Sequence, residues 1–95
     1  MNNEVVEFNI SKHDAETKIK EFLHNQGVSN AFEYSREDIT KELLSLFLQI
    51  QDFSKKENPD LTDQQIVIRT QARMERMFGI AYEKLYEYFL CNAFE

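Results

Sequence analysis

The sequence predicts an all-α protein: a compact three-helix bundle with a long C-terminal helix and a short N-terminal extended segment. Three observations carry this expectation. At three places a Ser or Thr stands three positions ahead of an acid or amide and is followed by apolar residues at helical spacing. Only two glycines and one proline occur in 95 residues, too few for the many tight turns of an all-β fold. The hydrophobic content, 42% with eight Phe and four Tyr, is too high for a disordered chain. A chain of this length makes a single all-helical domain, residues 1–95, that buries roughly 60–65% of its unfolded surface.

Taken in order, "EVVEFNI" places Val6, Phe8 and Ile10 at period two, the pattern of a short strand or extended arm over 1–10. No second strand is evident to pair with it. Ser11 followed by Asp14 opens the first helix, Ala15, Ile19, Phe22 and Leu23 form its apolar stripe, and Gly27 supplies a left-handed stop. The helix is therefore placed at about 12–25. The connector "VSNAFEY" has room for one helical turn after Ser29, with Phe32 and Tyr34 expected to pin it to the core.

Ser35 and Asp38 repeat the capping logic and open a second helix at about 36–57. Ile39, Leu43, Leu46, Phe47, Ile50 and Phe53 share one stripe, whereas Leu44 and Leu48 point to another side. A helix apolar on two sides has two neighbours. Pro59 then breaks the chain, and Thr62 with Gln65 starts a third helix. Its periodicity runs to about residue 90, which predicts one helix over 63–90, roughly 42 Å long.

That last helix has a main apolar face of Val67, Met74, Phe78, Ala81, Leu85 and Tyr88, and a second ridge of Ile68, Ala72, Gly79, Tyr82, Tyr86, Phe89 and Ala93 interrupted by Glu75. Small residues along the second ridge let another helix approach closely. The last fifteen positions, "AYEKLYEYFLCNAFE", hold five of the aromatic residues and the sole cysteine. Aromatic surface of this kind suits an interface better than bulk water. Ile68, Ala72, Gly79, Tyr82, Tyr86 and Phe89 are accordingly the candidate interface to a partner protein or to a second copy in a homodimer.

Charge and composition narrow the function classes. Seventeen acidic against eleven basic residues give a net charge of −6, which disfavours nonspecific attraction to nucleic acid or anionic lipid. Arg69, Arg73 and Arg76 fall within about 60° of one another on the last helix. They could contact an acidic partner, or serve a nucleic-acid-binding dimer as the alternative function. A solvated face is the plainer reading, since no aromatic interleaves with them. Glu21 and His24 make one E-x-x-H step on the first helix, but a carboxylate-bridged metal site needs a second such step and more inward carboxylates.

Cys91 and the Glu83–Glu87 pair have plain explanations as packing and surface charge, and no glycine-rich phosphate loop is present. The expectation is therefore no catalytic residues, no metal and no cofactor. A lone cysteine, an opening "MNNEVVEFNI" without a secretory pattern and no spanning apolar run place the chain in the cytoplasm, away from membranes. The function expected is that of a small acidic protein-binding regulator or inhibitor that acts by occupying a partner's surface.

Overall fold

The computed structural model describes residues 6–93. The first five residues of the arm expected over 1–10, and the last two residues, 94–95, lie outside them. Among the described residues the chain is helical with no strand: α1 (Lys12–Asn25), a short 3-10 turn (Ala31–Glu33), α2 (Arg36–Glu57), α3 (Asp63–Phe78) and α4 (Tyr82–Leu85), which runs directly into a π-helical segment (Tyr86–Leu90).

The helix starts are where the capping pairs put them. The Ser35 hydroxyl accepts from the Asp38 amide, and the Asp38 carboxylate accepts from the Ser35 amide in return. Thr62 and Gln65 make the same reciprocal pair at α3. At α1 the hydroxyl half is made, Ser11 accepting from the Asp14 amide. The bonds from the Ser35 amide and then the Ser35 hydroxyl hold the Asp38 carboxyl below its ordinary pKa. A depressed folded pKa means the carboxylate's contribution to stability is complete above about pH 4 and is lost as pH falls through the lower folded value. Asp38→Asn is expected to flatten the acid limb of a stability-versus-pH curve in that window, measured by urea unfolding. Ser35→Ala should cost about 1 kcal/mol at neutral pH.

Gly27, at φ 103°, ends the first helical region; the Val28 amide reaches back to the Leu23 carbonyl. In the connector it is Ala31 that is buried, whereas Phe32 is exposed and tilts against the His24 ring at 4.9 Å. Phe32 therefore does not anchor the connector to the core. Tyr34 does, half-buried against the core, and its hydroxyl donates to Glu42.

The long C-terminal helix expected over 63–90 is two helices. α3 stops at Phe78 because Gly79 adopts the left-handed conformation, φ 68° and ψ 28°. Three residues later the chain re-enters helix with the Glu75 carboxylate accepting from the Tyr82 amide, 3.0 Å. An α3 side chain thus satisfies an orphan donor at the start of α4. Glu75, which interrupts the apolar ridge in sequence, interrupts it to make this bond.

The N-terminal arm occupies the break. Glu7 and Ile80 form an isolated parallel bridge, with the Glu7 amide donating to Gly79 O at 3.0 Å and the Ala81 amide to Glu7 O at 2.9 Å. The Lys18 ammonium ties both sides, donating to the Glu7 carboxylate at 2.7 Å and to the Gly79 carbonyl at 3.1 Å. Farther along, Tyr88 donates to Ile10 O at 2.7 Å. The arm is not an alternating strand: Ile10 is buried but Phe8 is 59% exposed. The bridge satisfies two of the backbone groups at the helix break, the Gly79 carbonyl and the Ala81 amide.

The turn after Leu85 widens to i→i+5, seen in the Cys91 amide bonding to Tyr86 O at 2.8 Å. A wider turn brings Leu85 and Leu90, five apart, onto one side. Both are completely buried, with Phe89 beside them. The Phe89 carbonyl accepts from the Thr40 hydroxyl of α2, 3.2 Å. The core is formed by Ile10, Ala15, Ile19 and Leu23, by Ile39, Leu43 and Phe47, and by Met74, Phe78, Ile80, Leu85, Phe89 and Leu90. The chain's C-terminal aromatics are thus explained in part by folding: Phe89 is core and Tyr88 is half-buried and hydrogen-bonded.

Candidate functional site

The break in the last helix dismantles the expected second ridge. Gly79 is a helix stop rather than a helix-packing position, because its left-handed backbone is incompatible with continuation. Phe89 faces the core, because the wider turn carries it inward. Ile68 is 59% exposed and Ala72 is half-buried, both on α3. Of the six candidate interface residues, only Tyr82 and Tyr86 come together, with ring centroids 6.5 Å apart.

These two tyrosines form one wall of a groove of about 600 Å³. Phe47, Leu48 and Gln51 of α2 and Val67 and Gln71 of α3 supply the other walls, and Glu83 stands beside the tyrosines. The sequence puts them there for identifiable reasons. Phe47 lies on the buried stripe of α2 and packs against Tyr82, ring centroids 6.2 Å apart. Leu48, one position on, is turned about 100° away and opens onto the groove, 51% exposed. Leu48 is the residue whose direction implied a second neighbour for α2. Leu44, the other residue on that side, packs against the core, and α2 does meet more than one helical neighbour, α3 and the Tyr86–Leu90 segment among them, while Leu48 itself opens onto the groove.

Chemically the groove is apolar with three polar side chains, Gln51, Gln71 and Glu83. Burial, and then the adjacent Tyr86, raise the Tyr82 hydroxyl above its ordinary pKa, so it stays neutral across the physiological range. Tyr86 is 42% exposed at the rim. Glu83 is the one carboxylate on this otherwise uncharged lining.

The arginine row sits elsewhere on α3. The Arg73 guanidinium bonds to Glu57 at 3.2 Å and lies over the Phe53 ring, 5.4 Å from its centroid. Phe53, expected in the core stripe of α2, is half exposed and serves as that stacking platform; buried Ser54 takes the next inward position on the stripe. Arg69 and Arg76 are exposed. Elsewhere, Cys91 is half-buried with its thiol near the Glu87 carbonyl. Among the described residues no three His, Cys, Asp or Glu side chains converge, and no helix is long and apolar enough to cross a membrane. Comparison with protein-family models, with curated proteins and with solved structures gives no match.

Proposed function

We propose that this protein is a small, non-catalytic binding regulator or inhibitor that docks another protein through the α2–α3–α4 groove. The observation that supports the reading is the groove itself. Its rims, Leu48 and Tyr86, leave apolar and aromatic surface in water beside Phe47, which belongs to the buried core. Aromatic side chains flanking an apolar cleft are the residue types that dominate binding energy at protein interfaces. The groove retains two of the six residues suggested by sequence, Tyr82 and Tyr86, and replaces the others with Leu48, Val67 and the base of Phe47.

Leu48→Asp tests this. Because Leu48 is half exposed, the substitution is expected to leave the melting transition nearly unchanged, whereas a charge in an apolar contact should weaken partner binding at least about tenfold. Affinity capture from cells that naturally make the protein, compared between wild type and Leu48→Asp, measures it. A partner retained equally by both overturns the groove as the binding surface. The same preparation subjected to nuclease treatment distinguishes a protein partner from nucleic acid held by Arg69 and Arg76.

A further inference from the structure

Resting on the binding role proposed for the groove, we infer that its occupant is an amphipathic α-helix that carries a Lys or Arg beside its apolar face. The first half of the inference comes from the walls. All three are helical: the α2 and α3 lining residues lie inside long helices that bond their own amides and carbonyls, and at the start of α4 the Tyr82 amide is already taken by the Glu75 carboxylate. The groove therefore offers an incoming chain side chains only. An extended peptide would bury a row of its own amides and carbonyls against these walls with two glutamines, two tyrosine hydroxyls and one carboxylate to meet them, too few for every group along a strand, and each unmet group costs free energy. A helix closes its own backbone bonds and presents apolar side chains at i, i+3 or i+4 and i+7, the pattern by which helices fill such grooves.

The second half comes from charge. Glu83 is the sole charged side chain on the lining, and its carboxylate makes no hydrogen bond or ion pair within the described residues. The adjacent cation is otherwise engaged: Lys84 bonds to Glu87 and lies over the Tyr88 ring. A carboxylate left open at the edge of an apolar cleft, on a chain of net charge −6, complements a cation and repels an acidic segment. The occupant's Lys or Arg stem extends the apolar contact while its head reaches Glu83.

Panning a display library of random 16-residue peptides on the folded full chain tests the inference, with binding of the enriched peptides measured by fluorescence anisotropy. The expected result is enrichment of helix-forming sequences with apolar residues at i, i+3/i+4 and i+7 and a flanking Lys or Arg. Their affinity should fall at least about tenfold for Glu83→Lys, about threefold for Glu83→Gln, and with rising salt. Leu48→Asp should abolish binding of the same peptides. If enriched peptides need Leu48 but are acidic, neutral or extended, the groove still binds protein and the inference about its occupant is overturned. Enrichment indifferent to Leu48→Asp, or none, sinks the groove as a docking site and the inference with it. Concentration-dependent dimerisation abolished by Leu48→Asp, read by sedimentation equilibrium, identifies a second copy as the occupant and overturns the inference as well.

Discussion

Leu85→Ala is expected to destabilise the protein by about 2–5 kcal/mol, the range for deleting a fully buried leucine side chain that its surroundings cannot collapse upon. Leu85 has no exposed surface and sits one wide turn before Leu90, which is equally buried. The loss therefore opens a cavity under the π-helical segment rather than at a yielding edge. Tyr86→Ala, one position on, is the internal control. Its ring stands at the groove rim, 42% exposed, and its truncation should cost a small fraction of the Leu85 effect. Urea unfolding of both variants decides. Equal losses would mean that the tail does not divide into a core side and a groove side at this point.

Gly79→Ala is expected to destabilise as well, by about 1–2 kcal/mol, because a residue with a Cβ resists the left-handed conformation found there. The direction is the informative part. Inside a continuous helix the same change would stabilise by about 1 kcal/mol, so the sign of the change in thermal or chemical stability reports directly whether α3 ends at Phe78. Gly79→Asn should be milder, since asparagine tolerates this backbone region better than other side chains. The Gly79 carbonyl also accepts from the Glu7 amide and from Lys18, so a rearranged backbone would release the arm, visible as faster amide exchange at Glu7 and Ala81.

The two glycine expectations show where the sequence was legible and where it was not. Helix starts were, because capping is local chemistry: Ser35 with Asp38 and Thr62 with Gln65 satisfy their own backbone groups wherever the chain goes next. The break at 79–81 was not, because α3 and α4 turn toward the same core. Met74, Phe78, Ala81 and Leu85 are all buried, so the apolar rhythm continues across a point where the helix does not. Two residues that fit neither ridge of the supposed helix held the missing information. Ile80 and Leu90 are both fully buried, one in the break and the other across the wide turn. A large aliphatic residue out of phase in a helical pattern, next to a glycine or one turn from the chain's last aromatic residues, signals a change of backbone geometry. The groove was half legible: Leu48 and Tyr82 showed surplus apolar surface, but their meeting depends on the angle at which α4 leaves Gly79.

The clasp between the arm and the helix break also dictates the order in which the molecule assembles. The Tyr88–Ile10 bond joins residues 78 positions apart, and the Lys18–Gly79 bond joins residues 61 apart. Loop closure over such spans is slow relative to the pairing of α2 with α3, whose partners are joined by the short break at 58–62. The helical pair is therefore expected to form early and the arm to dock late. Until it docks, the Gly79 and Ala81 backbone groups lack their Glu7 partner, and the Tyr82–Tyr86 wall is tethered on one side only. The groove is expected to take its defined shape only at this last step, with the complete native state.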